Sequence, residues 1–133
     1  MSFIEAVRAY FVEWNNFKTR SSRSEYWWAT LFVFFAGYLV GLIIEFFIGF
    51  TFAYAEFSDE VIMTLVGITT LIVQVFIFIA STALVVRRLH DIDKSGWWYL
   101  LIFTIIGFIP LLIWFCTKGS DGRNRFGENP LEK

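Results

Sequence analysis

The chain has 133 residues, one domain's worth. Hydrophobic residues make up 57% and charged residues 17%, with mean hydropathy +0.62; soluble domains carry about 45–50% and about 25%, so the excess points to lipid as the solvent. A net charge of -1 gives no bulk attraction for nucleic acid or acidic substrates, and one cysteine, Cys116, excludes an intrachain disulfide and a CxxC metal site.

The opening Met1-Ser2-Phe3-Ile4-Glu5 lacks the basic region and short apolar core of a cleaved signal peptide, so the later spans are expected to direct insertion. Across residues 3–17, Phe3, Ile4, Val7, Tyr10, Phe11 and Trp14 recur at steps of three and four. This predicts an amphipathic helix in the membrane interface, with a helix packed on the rest of the protein as the alternative. Asn15-Asn16 weakens its end. Lys18 to Glu25 is a basic, serine-rich connector running into Tyr26-Trp27-Trp28. Cations followed by amphipathic rings describe a membrane boundary. Ser24 is the expected helix cap, with Glu25 in the first turn.

The first apolar run, Tyr26 to Ile44, is about 28 Å long as a helix, close to the roughly 30 Å hydrocarbon core. It predicts a span over 26–45, with Glu45 at the far interface rather than at mid-bilayer. Gly37 and Gly41 form a GxxxG pair, suited to close approach of helices. Residues 46–57 are apolar and aromatic but too short for another span; they either continue the helix or lie along the outer interface. Ser58-Asp59-Glu60 reads as an acidic helix start. A second span is predicted over 61–86, with Thr64, Gly67, Thr70, Gln74 and Ser81 near one face. Such a stripe should face protein, because hydrocarbon offers no hydrogen-bond partners.

Arg87 to Trp98 follows and carries the only histidine, His90, with a turn signal at Ser95-Gly96. A third apolar run covers 97–116, but Gly107-Phe108-Ile109-Pro110 interrupts it. It is expected to be kinked or re-entrant at Gly107–Pro110. Residues 117–133 are a turn-rich polar tail.

Every lysine and arginine lies outside the apolar runs. Arg8, Lys18, Arg20 and Arg23 precede the first. None separates the first from the second. Arg87, Arg88 and Lys94 separate the second from the third, and Lys118, Arg123, Arg125 and Lys133 follow. The positive-inside rule then puts the N-terminus and the Arg87–Lys94 loop in the cytoplasm, with residues 53–60 outside. A full third crossing would carry four cations outward; a run that turns at Gly107–Pro110 keeps all of them inside. Charge bias and the mid-run breaker together favour re-entry.

Three motifs carry a family resemblance. They are Arg20-Ser21-Ser22-Arg23-Ser24-Glu25-Tyr26-Trp27, the stretch Arg87 to Trp98 with its Arg-Arg-Leu-His-Asp and Ser-Gly-Trp-Trp, and Gly122-Arg123-Asn124-Arg125-Phe126-Gly127-Glu128-Asn129-Pro130. The chain resembles, over essentially its whole length, the domain of unknown function 805 family of small bacterial inner-membrane proteins. Thr19 stands where a glycine is usual and Asp93 where a glycine is frequent. The resemblance implies a bacterial plasma-membrane location and supplies no activity.

His90 with Asp91 and Asp93 invites a metal or acid–base reading, but one imidazole falls short of the three or four ligands a metal wants, and no nucleophile is evidently paired with it. The bland reading is structural: His90 and Asp91 cap a helix junction while Arg87 and Arg88 anchor a span. A third is recognition, with arginines converging on anionic lipid headgroups or an acidic partner. Against it stands an internal lock, Arg20 or Arg23 pairing with Glu25, Asp91 or Asp93. The candidate hub is Arg20, Arg23, Arg87, Arg88, His90, Asp91, Arg123, Asn124 and Arg125.

These readings make an all-α integral membrane protein of the bacterial inner membrane: an interfacial N-terminal helix, two full transmembrane helices and a third broken segment. No catalytic residue, metal or cofactor is assigned. The expected role is a non-enzymatic scaffold, lipid-associated factor or accessory subunit. Its expected partners are membrane lipids, anionic ones among them, a second copy or another membrane protein, and not nucleic acid. A small transporter or channel-like oligomer using Gln74, Thr70 and Glu45 is the alternative, and a lipid-headgroup enzyme the third.

Overall fold

The computed structural model describes residues 1–54 and 59–132. Its elements are helix α1 (Phe3–Val12), helix α2 (Arg23–Tyr54), helix α3 (Asp59–Asp91), a 3-10 helix (Gly96–Phe103) and helix α4 (Phe108–Cys116). The chain forms two compact units, one of Met1–Thr30 with Ile79–Lys133, the other Leu31–Phe78.

Helices α2 and α3 are each long and apolar enough to cross a membrane, the most apolar 18-residue stretch reaching mean hydropathy 2.4 within Arg23–Thr51 and 2.5 within Glu60–Asp91. The core helix of a soluble protein would hide such a surface. Here none of the most apolar window of α2 and 6% of that of α3 is buried within the chain. Phe34, Phe35, Leu71 and Ile72 all stand exposed. Apolar surface on this scale needs an apolar solvent. The backbone polar groups are met inside each helix, and Thr51, Thr64 and Thr69 donate their hydroxyls to the carbonyls of Phe47, Glu60 and Leu65 one turn back. Residues 46–54 continue α2, which settles one of the two alternatives for that stretch. The remainder of it, residues 55–58, and with them Ser58 of the acidic helix start, lie outside the described residues. On α3, Thr64, Gly67 and Gln74 are exposed rather than covered by this chain.

The other unit starts with α1. Ser2 and Glu5 form a capping box: the Glu5 N–H donates to Ser2 Oγ, and the Ser2 N–H donates to Glu5 Oε2 at 2.7 Å. That donation from the Ser2 backbone holds the Glu5 carboxyl below its ordinary pKa. Ala6 and Tyr10 are buried while Ile4 and Val12 face outward. Tyr10 Oη sits 3.0 Å from Ser81 Oγ of α3, and the Phe3 ring meets Trp28 edge-on. The helix is shorter than residues 3–17. It ends at Val12, and a turn follows in which the Asn16 N–H reaches the Glu13 carbonyl at 3.1 Å and the Asn16 carboxamide oxygen accepts the N–H groups of Lys18 and Thr19. Helix α2 then starts at Arg23, capped by Ser22 rather than Ser24: Ser22 Oγ accepts the Glu25 N–H at 3.2 Å.

At its far end α3 runs on through Arg87, Arg88 and Asp91, so the expected Arg87–Lys94 loop is mostly helix. The stop is a Schellman motif. The Lys94 N–H reaches the Leu89 carbonyl at 2.9 Å, the Asp93 N–H reaches the His90 carbonyl at 3.0 Å, and Asp93 takes the left-handed φ of 57 that the motif demands. The 3-10 helix begins at once, with Ser95 Oγ accepting from the Trp97 N–H. It leads to a reversal at residues 104–107. Gly107 is required there, since a Cβ would sit 2.3 Å from the Leu101 carbonyl oxygen. Pro110 falls in the first turn of α4, where its missing N–H removes no helical bond. Trp98 packs edge-on to Trp114 across the two arms, and Ile105 and Ile106 at the tip are exposed.

Candidate functional site: a buried arginine–carboxylate hub

Arg20, Arg87, Arg88, Glu25 and Asp91 are each at most 5% exposed. Asp91 is the pivot. Its Oδ1 accepts from Arg20 Nε at 3.1 Å and Nη2 at 3.0 Å, a two-pronged pair that suits the guanidinium fork. Its Oδ2 accepts from Arg88 Nη1 at 2.7 Å. Beside it Arg87 Nη1 donates to Glu25 Oε1 at 2.8 Å. Three guanidiniums therefore face two carboxylates, a surplus of one positive charge in a place from which water is largely excluded.

Carbonyl oxygens offset that surplus. Arg88 donates to the carbonyls of Trp114 and Phe115 at 3.2 and 3.3 Å and to that of Thr117, at the C-terminal end of α4. That end carries the negative pole of a helix, with carbonyls lacking intrahelical partners. Arg20 donates to the carbonyls of Ser120, Gly122 and Gly127 in the tail. Nε and Nη2 of Arg87 find no protein acceptor among the described residues.

The tail is fitted to this hub. The Ser120 N–H and hydroxyl both donate to the Asp91 carbonyl, and Asn124 Nδ2 donates to the His90 carbonyl at 2.9 Å. Gly119 lies so close that a Cβ would sit 2.1 Å from Asp91 Oδ2. His90 is spent in the same way: Nδ1 lies 3.2 Å from the Thr19 carbonyl, and the ring stacks on Phe126 at 3.7 Å between centroids.

The sequence candidates thus divide. Arg20, Arg87, Arg88, His90, Asp91 and Asn124 come together. Arg23 is exposed, with Nη1 3.4 Å from the Cys116 carbonyl oxygen. Arg123 pairs with Glu128 and Arg125 with Asp93, both as exposed ion pairs. Of the six candidate arginines, Arg20, Arg87 and Arg88 are interior and Arg23, Arg123 and Arg125 are on the surface. Two members were absent from the candidate set. Glu25 enters the sequence reading as a helix-start residue and as a partner for Arg20 or Arg23 in the internal lock, whereas its partner in the structure is Arg87. Gly119 had only its turn character, which does not reveal the carboxylate it must clear. Among the described residues no three His, Cys, Asp or Glu side chains group as a metal ion would require.

Residues 14–128 match the family described as "Protein of unknown function (DUF805)". Two curated relatives from Escherichia coli (strain K12) are similar over 115 residues, 86% of this chain: inner membrane protein YhaI at 35% identity, covering 85% of that protein, and inner membrane protein YhaH at 34%, covering 86%. No solved structure matches. Relatives named as inner membrane proteins and two long apolar helices together make this an inner-membrane protein of bacterial type. With the family match running across both the hub and its tail, the chain belongs to the DUF805 family.

Proposed function

We propose that this chain is a non-enzymatic, lipid-associated scaffold of the inner membrane. Its N-terminus, the end of α3 and the tail all face the cytoplasm, and residues 97–116 enter the membrane and return. The observation that carries the reading is the double engagement of Asp91 by Arg20 and Arg88, with tail carbonyls closing around both guanidiniums. It supports re-entry because the start of the broken run at Gly96 and the residues after Cys116 both lie against the end of α3. It supports a scaffold because the groups able to do chemistry, His90 and Asp91, are engaged in holding segments together.

Paired reporters fused after residue 132 test the topology. Cytoplasmic fluorescence without periplasmic phosphatase activity is expected; phosphatase activity would overturn re-entry. For the scaffold role, the Arg88→Ala variant is expected to lose abundance in the membrane. A stable variant that sheds only co-purified lipid would make the hub a recognition site instead. The exposed Gln74, on the same stripe of α3 as the exposed Thr64 and Gly67, favours the second reading, an oligomer that covers it and passes a solute. Solute flux after reconstitution that falls in Gln74→Leu would establish that alternative.

A further inference from the structure

Beside the hub lies a cleft of about 640 Å³ that the internal lock does not fill. It is lined by Asp91, by Ser22, Arg23 and Ser24 around the start of α2, by Cys116 at the end of α4, and by Lys118, Gly119, Asp121, Asn129 and Leu131 of the tail. Trp27 and Trp28 also line it. The volume falls within the roughly 300–1,000 Å³ of small-molecule sites.

Its charge is readable group by group. Asp91 is more than neutralised, because two buried guanidiniums share its carboxylate. Lys118 Nζ touches Asp121 Oδ1 at 2.7 Å, but both are well exposed and the pair is free to part. Arg23 has only a long contact to the Cys116 carbonyl, so its guanidinium remains available. Helix α2 adds the positive end of its dipole, and the Ser22 and Ser24 hydroxyls, 3.1 Å apart, add hydrogen-bonding capacity. The sum is a positive pocket with oxygen-binding groups next to two indole rings that begin an apolar helix. A phosphate at Arg23 and Lys118 would leave its glycerol and chains beside Trp27 and Trp28.

We propose that this cleft binds the phosphate of an anionic phospholipid headgroup. The proposal rests on the scaffold reading for its depth in the membrane and gives that scaffold its ligand class. The test is native mass spectrometry of delipidated full-length protein titrated with phosphatidylglycerol, phosphatidylcholine or inorganic phosphate. One phosphatidylglycerol is expected to bind in preference to phosphatidylcholine. Arg23→Ala and Lys118→Ala should each weaken it roughly tenfold, as loss of one charge-assisted contact does. Arg8→Ala, an exposed cation on α1, should leave binding unchanged. Arg23→Lys keeps the charge and should retain most of the binding, and an unchanged unfolding transition in Arg23→Ala separates loss of the contact from misfolding. Equal binding of phosphatidylcholine, an equal loss in Arg8→Ala, or no loss in the cleft variants would overturn the proposal. Displacement of lipid by inorganic phosphate would reassign the site to free phosphate. None of these results depends on the side of the tail or the abundance of Arg88→Ala, so failure of the site and failure of the scaffold reading are separable.

Discussion

Replacing Asp91 with Ala removes the one carboxylate shared by Arg20 and Arg88, and the buried surplus rises from one positive charge to two. Breaking a buried ion pair from one side costs about 3–5 kcal/mol, because the remaining charge stays out of water without its partner. Both guanidiniums keep carbonyl acceptors, Arg20 at Ser120 and Gly122 at 2.7 Å each and Arg88 at Trp114 at 3.2 Å. Those contacts pull the expectation toward the lower end, about 3 kcal/mol. Asp91→Asn keeps one acceptor oxygen for one arginine but turns an NH2 toward the other as the charge is lost, so it should also be destabilising. Reversible unfolding in mixed detergent micelles measures both. A double-mutant cycle with Arg20→Ala should return a coupling of about 1–3 kcal/mol, as contacting residues in one network do. The Lys118–Asp121 pair, 68% and 82% exposed at the side chains, is the comparison and should couple by at most about 1 kcal/mol. An Asp91→Ala protein that unfolds within about 1 kcal/mol of the parent would refute the hub as a source of stability.

Three further outcomes follow from single contacts. Gly119→Ala forces a methyl against a carboxylate already fixed by two arginines, and should cost about 1–3 kcal/mol in the same unfolding assay. Asp93→Ala puts a residue without Asp's local hydrogen-bonding ability at a left-handed φ and should lose about 1 kcal/mol, whereas Asp93→Gly should be tolerated despite losing the exposed pair with Arg125. Tyr10→Phe removes the hydroxyl contact with Ser81 that ties α1 to α3; the loss should be about 1 kcal/mol, seen also as faster amide exchange in residues 3–12.

The two long helices were legible because length and hydropathy are local properties, and a bilayer imposes both. The end of α3 was partly legible. The resemblance marks Asp93 as a position where glycine is expected, and the left-handed φ of 57 found there is a conformation that glycine adopts without steric penalty. The choice of ion-pair partners was not legible. Arg20 meets Asp91 across 71 positions, and nothing near either residue favours that pairing over Arg20 with Glu25. Only the fold brings Arg87 rather than Arg20 to Glu25. Which arginines become interior was hidden for the same reason: Arg20 and Arg23 sit three residues apart in one basic connector, yet one is buried and the other exposed.

The bonds from Arg20 to the carbonyls of Gly122 and Gly127 link groups 102 and 107 positions apart. A ribosome supplies those partners almost a whole chain length after the arginine itself. During synthesis, therefore, the carbonyl cage of Arg20 cannot close until residues 120–127 have been made. The hub is thus completed only after α2, α3 and α4 have been synthesised, by residues 120–127 and not by the helices alone.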